Sequence, residues 1–478
     1  MNRLHPDTLD QVKEDAQLPT YDRQNLRPGI VHLGLGAFHR AHQAVYTERA
    51  LANSGGNWGI IGVSLRSSAV SDQLSPQGGL YSVMSEDASG QQLQVIAAIQ
   101  KVLVAPRELE QVIAAIANPD IKIISLTITE KGYCLAPNGW SLDRESESVR
   151  ADLANVRQPA TAVGILALGL KERHDAGGGP ITVISCDNLS QNSKVLRSVI
   201  IQYVESAFPE LLLWLGDNVA YPCSMVDRIV PAMTEHQRRR QGELLGLTDD
   251  GAVSTEPFSQ WIVENKFSAA RPDWESAGVQ VVENIGPYED IKLGLLNASH
   301  SAIAYCGLLA GLETVDQVMS DSGLRGFIEE LMTQDLMPAL DVPPDFDLPA
   351  YRDELLDRFS NPCLGHRCEQ IAMDGSEKIS QRWLSALRNT APTQRLTRAL
   401  SAWTYFILLT DLPIDDPRAE QLLSLRNSKS RTAARLDNVL ATARMSPETI
   451  GDYSALRKVI LKNLKVIKSD GIRALVAS

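Results

Sequence analysis

Short apolar runs alternate with helix-spaced apolar positions along the first half of the chain. An apolar run at residues 30–33 ends in the turn Gly34-Leu35-Gly36, and a helical pattern follows it. A second apolar run, at residues 58–65, comes at the spacing that a βαβ unit requires. The pattern therefore predicts a strand, a tight turn, a helix and a second, parallel strand.

The same alternation continues towards the middle of the chain. Further strands are predicted at residues 93–99, 121–129 and 181–186, and further helices at residues 108–116 and 161–173. Alternating positions at 81–83 and a turn at 87–90 predict a hairpin inserted after the second strand. β-Branched strands separated by helices indicate an α/β protein with a mostly parallel sheet covered on both faces, which is the Rossmann-type doubly wound arrangement.

Helical periodicity dominates from Tyr288 onward, with no convincing strand between the helices. The predicted helices lie at residues 291–309, 324–332, 399–409 and 434–443. A chain of 478 residues exceeds the usual size of a single core, so two domains are expected. A break at Ile285-Gly286-Pro287 gives a doubly wound domain over 1–285 and a mostly α-helical domain over 286–478.

Composition and charge exclude several classes of function. The protein has 44% hydrophobic and 22% charged residues, as folded soluble proteins do, and its formal net charge of −12 argues against binding nucleic acid or anionic lipid. The N-terminal stretch is polar, and no unbroken run of about 18 apolar residues occurs. Six cysteines without CxxC spacing favour free thiols. We expect a cytoplasmic protein that is neither exported nor membrane-spanning.

The turn after the first strand has the form of a dinucleotide-binding loop. The first glycine permits a tight turn, the second lets a pyrophosphate approach the backbone, and the following helix offers free N–H groups. An ordinary strand-to-helix turn is the alternative, because the third glycine of the usual motif is missing, but the second strand at the right distance favours the coenzyme. We expect contacts from Gly34, Leu35, Gly36, Ala37 and Phe38.

The choice between NAD and NADP depends on the end of the second strand. An acidic residue that binds the ribose 2′-hydroxyl is usual there, but this chain has Arg66-Ser67-Ser68. Arg66 is either a ligand for a 2′-phosphate or a solvated side chain. NAD is the expected coenzyme, and NADP stays open.

The stretch from Pro287 to His300 carries the candidate chemistry. Three polar residues, Lys292, Asn297 and His300, interrupt an otherwise apolar helical pattern. In a regular α-helix they fall within an arc of roughly 140°, with Lys292 and His300 about 12 Å apart along the axis, a spacing suited to an extended polyol. Considered one at a time, Lys292 has the alternative of a surface lysine at the edge of the helix, and His300 that of a hydrogen-bonded core histidine. The face that both share with Asn297 favours a functional site instead.

A buried lysine suits hydride chemistry at an alcohol carbon. Burial disfavours the ammonium form of a lysine and lowers its pKa towards the working pH. The amine can then take the proton from the hydroxyl group and return it to a carbonyl oxygen in the reverse reaction. Asn297, and Asn188 just beyond a parallel strand, are candidate donors to the developing alkoxide. His39 and His42 suggest a metal pair, but no cluster of further ligands accompanies them, so we expect no metal.

Several segments together resemble the polyol-specific long-chain dehydrogenases, which include mannitol 2-dehydrogenase and fructuronate reductase (mannonate oxidoreductase). They are GLGAFHRAHQ (34–43), SLTITEKGY (125–133), SCDN (185–188), MVDRIVP (225–231), KLGLLNASHS (292–301) and IAMDGSEK (371–378). The resemblance runs from about residue 27 to about residue 417, so the last 60 or so residues have no assigned role. It implies metal-free catalysis with Lys292 as acid-base group, Asn188 and Asn297 as oxyanion donors, and His300 orienting the substrate.

The resemblance also implies roles for residues further along the chain. Glu130 and Asp227 correspond to a carboxylate pair flanking the site, Glu289 to a proton-path group and Lys378 to a substrate contact. Gln370 stands where mannitol enzymes tend to carry arginine, which favours fructuronate reductase. We include Gln370 among the substrate-binding residues on that ground.

Three functions are consistent with the sequence. Interconversion of mannonate and fructuronate is favoured, oxidation of a neutral polyol such as mannitol or arabinitol is the second, and a catalytically silent dinucleotide sensor is the third. The Lys292, Asn297 and His300 set argues against a sensor, because a sensor has no use for a buried base. The sequence names neither the substrate nor the oligomeric state, and a monomer is among the options.

Overall fold

The computed structural model of the protein describes residues 1–389 and 394–477. Its backbone contacts divide the chain into two compact units, Met1–Ile285 and Gly286–Ser478. All strands found in the described residues belong to the first unit. They are β1 (Ala16–Gln17), β2 (Pro28–Leu33), β3 (Gly59–Ser64), β4 (Tyr81–Asp87), β5 (Gly90–Ile96), β6 (Ile99–Val104), β7 (Ile123–Leu126), β8 (Ile181–Ser185), β9 (Val219–Ala220), β10 (Ser224–Asp227), β11 (Val253–Thr255), β12 (Gln260–Glu264) and β13 (Gln280–Val282).

The main sheet of the first unit has the strand order β6-β3-β2-β7-β8-β9, and every pairing in it is parallel. Strands β3, β7 and β8 are buried along their whole length, as expected when both faces of a parallel sheet are covered. The Rossmann-type prediction is therefore confirmed.

The first unit has nine α-helices, most of which cover the two faces of this sheet. They are α1 (Ala37–Ala41), α2 (Gln43–Ser54), α3 (Ala69–Leu74), α4 (Ala105–Ala117), α5 (Glu147–Ala154), α6 (Ala162–Asp175), α7 (Asn192–Ala207), α8 (Leu212–Asn218) and α9 (Glu235–Leu245). Successive strand residues point to opposite faces. Val31 packs in a core with α4, α6 and α7, whereas its neighbour Ile30 packs in a second core with α2.

Two smaller sheets complete the first unit, with strand orders β1-β5-β4-β11 and β10-β12-β13. The predicted hairpin is β4 and β5, which pair antiparallel. The prediction of one strand over 93–99 is wrong, because β5 ends at Ile96 and β6 begins in another sheet. The amides of Ala97 and Ala98 each donate to a carboxylate oxygen of Glu48 at 2.8 Å, and this side chain from α2 interrupts the strand.

The second unit is helical throughout its described residues, as predicted. Its α-helices are α10 (Gly286–Ile291), α11 (Ala298–Ala310), α12 (Val315–Ser320), α13 (Ser322–Glu330), α14 (Leu348–Phe359), α15 (Cys368–Ala372), α16 (Gly375–Asn389), α17 (Gln394–Leu409), α18 (Ala419–Asn427), α19 (Thr432–Thr442) and α20 (Tyr453–Val476). Helix α11 is central, with residues 298–307 all buried. It packs against α15, α17 and α20.

The prediction of one regular α-helix over 291–309 is wrong in its first third. Residues Lys292–Asn297 form a π-helical segment between α10 and α11. The amide of Ala298 donates to the carbonyl of Leu293, five residues earlier, which is the hydrogen bond that defines a π-helix. The angles and the rise of a regular α-helix therefore do not apply between Lys292 and Asn297.

The helical stretch Gly286–Ala310 is the one helix in the described residues that is long and apolar enough to be a candidate membrane span. Its best 18-residue window has a mean hydropathy of 1.3, long and apolar enough to cross a membrane, and 67% of that window is buried inside the protein. A buried core helix has the same composition, so this is weak evidence for a membrane span. This stretch contains no unbroken apolar run of about 18 residues, because Lys292, Asn297 and His300 interrupt it.

Candidate active site

The glycine-rich turn lies at the carboxyl end of β2. Gly34 has a φ of +95°, and a Cβ atom there would lie 2.1 Å from the carbonyl oxygen of Thr127, so only glycine fits. A Cβ atom on Gly36 would have its nearest neighbour at 3.8 Å, which leaves open space beside the backbone. No side chain caps the following helix α1. Bare backbone beside open space is what a coenzyme pyrophosphate requires.

The other residues predicted to bind the coenzyme differ in exposure. Leu35 is buried with its side chain packed on Gly62 of β3, so only its backbone borders the turn. Ala37 and Phe38 are half-buried at the start of α1. Arg66, two residues beyond β3, is exposed and lines a cavity of about 1140 Å³ in the first unit.

Two stacked histidines lie beneath the turn, with ring centroids 3.4 Å apart. His32 contacts Ser125 Oγ through Nδ1 and Thr127 Oγ1 through Nε2, both at 2.8 Å. Burial lowers the pKa of His39 to about 3, so its imidazole is neutral. Its Nδ1 contacts the side-chain oxygen of Gln43 at 3.1 Å. In the described residues His39 is therefore packed as a structural group, between the ring of His32 and the side chain of Gln43.

The turn that carries Glu130 is held by a half-buried carboxylate. Asp187 accepts hydrogen bonds from the amides of Ile128 and Thr129 at 2.9 Å and from the hydroxyl of Tyr133 at 2.6 Å. Thr129 has a φ of +63°, a strained value for a β-branched residue. Such strain is concentrated at functional sites. Glu130 itself is exposed.

The loop that carries Asn188 is tied to β10, the strand that ends in Asp227. The side-chain amide of Asn192 donates to the carbonyl of Asp187 at 3.0 Å and to that of Ser224 at 2.7 Å. Asn188 is exposed beyond β8, and Asp227 is buried. The structure therefore links the Glu130 turn, the Asn188 loop and β10 through polar side chains.

In the second unit, the predicted catalytic residues surround the π-helical segment. Lys292 begins the segment and is only 8% exposed, and Asn297 ends it, half-buried. His300, one turn into α11, is 9% exposed. Burial lowers the pKa of His300 well below its usual value, and the charge of Lys292 contributes to that shift. The three predicted residues therefore lie on or directly beside one segment of the second unit.

Two family models match the chain over nearly its whole length. The mannitol dehydrogenase Rossmann domain matches residues 28–276, and the mannitol dehydrogenase C-terminal domain matches residues 284–468. The chain belongs to the mannitol dehydrogenase family. It is an oxidoreductase of that family, which confirms the resemblance identified from the sequence motifs.

Known members of the mannitol dehydrogenase family resemble the chain along both units. D-mannonate oxidoreductase of Escherichia coli (strain K12) is 39% identical over 393 residues, or 80% of this chain and 81% of the relative. Mannitol 2-dehydrogenase of Aspergillus terreus is 38% identical over 445 residues, or 89% of each chain. The solved ternary complex of Pseudomonas fluorescens mannitol 2-dehydrogenase with NAD and D-mannitol is 32% identical, with a TM-score of 0.84 and coverage of 99% and 98%.

The remaining residues expected from the mannitol dehydrogenase family lie at more exposed positions. Lys378 on α16 donates to the carbonyl of Met373 at 2.9 Å and pairs with Asp374 at 3.1 Å. Gln370 is exposed on α15, and Glu289 is half-buried on α10.

Sequence reasoning missed the residues that hold the Glu130 turn and the Asn188 loop in place. Asp187 belongs to the motif SCDN (185–188), but the motif gives it no role, and no pattern in the sequence marks Ser224 as a partner of Asn192. An acidic residue next to a candidate ligand after a buried strand is the signal that could have found Asp187. The backbone groups that it holds lie 59 and 58 residues away and carry no local signature.

Proposed function

We propose that the protein is a dehydrogenase that interconverts a sugar alcohol or aldonate with its keto form, with Lys292 as its acid-base group and without metal. The observation that carries this proposal is the burial of Lys292 at the start of a π-helical segment. A charged side chain in an apolar core is costly, and π-helical segments occur often at functional sites. Both features favour a catalytic lysine over a surface lysine.

The first unit supplies a place for NAD, which takes the hydride when bound. The bare backbone at Gly34 and Gly36 suits the pyrophosphate. The solved Pseudomonas fluorescens mannitol 2-dehydrogenase, which is 32% identical to this chain, is a complex with NAD. Arg66 leaves NADP open, because an arginine after the second strand can accept a 2′-phosphate.

The side chains have complementary parts in the proposed reaction. In the oxidative direction, the neutral amine of Lys292 removes the proton from the substrate hydroxyl. Amide groups of Asn188 and Asn297 donate to the oxygen as negative charge develops on it. His300 orients the substrate through its imidazole. In the reductive direction, the ammonium form of Lys292 returns the proton to the carbonyl oxygen.

Glu130, Asp227 and Glu289 supply carboxylates for binding hydroxyl groups and moving protons in the same proposal. Asp227 is buried at the end of β10, which fits a fixed hydrogen-bond acceptor. Lys378 and Gln370 are proposed substrate contacts, and Lys378 is held in place by Asp374.

We infer that the substrate pair is mannonate and fructuronate or a close keto-aldonate. Gln370 replaces the arginine that the mannitol enzymes tend to carry, and the Escherichia coli D-mannonate oxidoreductase is 39% identical. Oxidation of a neutral polyol is the second candidate. Its support is the likeness to mannitol 2-dehydrogenases, which extends over 99% of this chain in the solved Pseudomonas structure.

A panel of steady-state assays tests the proposal. Each of D-mannonate, D-mannitol and D-arabinitol is assayed with NAD and with NADP, with and without a metal chelator. We expect kcat/KM for D-mannonate to exceed that for either polyol by about tenfold or more, a difference of ~1.4 kcal/mol in transition-state binding. A preference for D-mannitol would instead support the second candidate. Loss of activity in the chelator would contradict the metal-free mechanism.

A further inference from the structure

His300 is part of a polar cluster inside the second unit. Its ring lies 4.7 Å from the ring of Phe359, at the end of α14, and 5.3 Å from the ring of His366. The two imidazoles are nearly perpendicular, with an interplanar angle of 79°. We call His300 and His366 the imidazole pair.

Each member of the imidazole pair has a buried ring nitrogen without a hydrogen-bond partner among the described residues. The atoms are Nε2 of His300 and Nδ1 of His366. A buried polar atom without a partner costs about 1–3 kcal/mol, so folded proteins rarely keep one without a reason. An oxygen atom of a bound ligand would satisfy either nitrogen.

Cations surround the imidazole pair. Burial lowers the pKa of His300, and His366, Arg382, Arg358 and Lys292 lower it further. Burial also lowers the pKa of His366, and again Arg358 adds to the shift. Of the groups named here, Arg382, Arg358 and Lys292 carry the positive charge. A neutral polyol gains little from such an environment, whereas an anion gains Coulombic attraction.

Arg358 is distinguished from the other cations by its position. Its side chain is 7% exposed in the last turn of α14, and its charge acts on both imidazoles. Arg382 acts on His300 and donates a hydrogen bond to Ser301 Oγ at 2.6 Å. A guanidinium matches the geometry of a carboxylate, because its N–H groups form a planar fork.

We propose that Arg358 and the imidazole pair bind the carboxylate of a sugar-acid substrate and thereby determine the preference for aldonates over neutral polyols. This inference rests on the proposed function for the reaction, and it adds the residues that recognise the charged end of the substrate. Lys292 keeps its separate part at the reacting carbon.

The test compares Arg358→Gln with the wild type on D-mannonate and D-mannitol. Loss of one charge-assisted hydrogen bond lowers kcat/KM for D-mannonate by about 10- to 100-fold. The effect on D-mannitol is smaller, so the ratio of the two kcat/KM values falls by about tenfold or more. Arg358→Lys keeps the charge without the fork and gives an intermediate ratio.

Arg352→Gln is the matched control on the same helix. Arg352 donates to Asp353 at 2.6 Å and to Thr333 at 3.2 Å, away from the imidazole pair, so its replacement leaves the ratio unchanged. Thermal melting and coenzyme titration of each variant show whether it has folded. His366→Asn replaces Arg358→Gln if the latter does not fold, and it lowers the ratio in the same direction.

The outcomes separate this inference from the proposed function. If the wild type oxidises D-mannitol but not D-mannonate, the proposed substrate is wrong, and D-mannonate is then tested as a competitive inhibitor of mannitol oxidation. Inhibition of the wild type that weakens about tenfold or more in Arg358→Gln still supports the anion site. Equal losses on both substrates in Arg358→Gln, or no binding of D-mannonate to the wild type, would overturn the inference.

Discussion

The carboxyl edge of the main sheet and the helix that carries Lys292 differ in how their polar side chains are hydrogen-bonded. At the sheet edge, Asp187 accepts three hydrogen bonds and Asn192 links two segments of backbone. Along the helix, Ser299 Oγ and His300 Nε2 are buried without a partner among the described residues. The bonds of Asp187 and Asn192 hold backbone in place, although His39 Nε2 beneath the glycine turn is also buried without a partner among the described residues. The two atoms on the helix are available to a ligand.

Because of this difference, we expect variants in one region to change stability and variants in the other to change catalysis. A satisfied polar network stabilises the fold and fixes the loops, whereas unpartnered polar atoms and buried cations cost stability. Variants at the sheet edge should therefore affect folding and coenzyme binding. Variants on the Lys292 helix should lower turnover with little loss of stability.

The largest expected effect is that of Lys292→Met. Removal of the acid-base group lowers kcat by about 10²- to 10⁴-fold, the usual contribution of general acid-base catalysis. Coenzyme affinity stays near the wild-type value, and the melting temperature does not fall, because a buried cation is replaced by an apolar side chain of similar length. Steady-state kinetics, coenzyme titration and calorimetry measure the three quantities.

Added primary amines provide a control for this variant, since a small amine that enters the site restores part of the proton transfer in Lys292→Ala. Near-normal turnover in Lys292→Met would show that the lysine is not the acid-base group. A large drop in melting temperature would show that the lysine is structural, and the contrast between the two regions would then fail.

The next effect comes from paired variants at the sheet edge, Gly34→Ala and Gly36→Ala. A methyl group on Gly34 meets the carbonyl of Thr127 at 2.1 Å with φ at +95°, so the first unit loses about 1–3 kcal/mol in its free energy of unfolding. A methyl group on Gly36 has its nearest neighbour at 3.8 Å, so the fold tolerates it. It would occupy the space for the pyrophosphate and raise the coenzyme Kd about tenfold or more.

Denaturant unfolding and coenzyme titration of both variants test this difference. If Gly36→Ala bound NAD as the wild type does, the turn would not be the pyrophosphate site. Equal destabilisation by both substitutions would mean that the backbone beside Gly36 is more confined than the structure indicates.

Much of the fold could be predicted because its signals are local. The alternation of buried strands and amphipathic helices depends on neighbouring residues, and so does the turn at Gly34. The division of residues 93–99 into two strands depends on Glu48, which lies 49 and 50 residues from the amides that it binds. No pattern within the run reveals that carboxylate.

The candidate site could be predicted only in part, for similar reasons. Lys292 and His300 stand out because they interrupt an apolar helix, and a motif resemblance supports them. The π-helical segment between them was missed, because one extra residue in a helical turn leaves the apolar pattern nearly unchanged. Arg358, which we propose binds the substrate carboxylate, lies 58 residues from His300 and carries no motif of its own.

A third expected effect concerns pH and the stacked histidines under the glycine turn. Burial, and then the nearby charge of Arg40, lower the pKa of His39 to about 3 from its usual 6.5. Below the usual value the unfolded chain binds a proton that the folded unit does not, so the free energy of unfolding falls as pH falls. From about pH 7.5 to about pH 5 this single group costs about 2 kcal/mol.

His39→Gln tests the effect because it removes the titrating ring and retains groups that can bond to Gln43. The variant's free energy of unfolding, measured in denaturant, should rise by about 2 kcal/mol relative to the wild type between those two pH values. In the second unit, burial and then His366 and the nearby cations lower the pKa of His300, so a bound carboxylate should oppose that shift. Parallel pH curves for the wild type and His39→Gln would show that His39 is not buried as a neutral ring in the folded first unit.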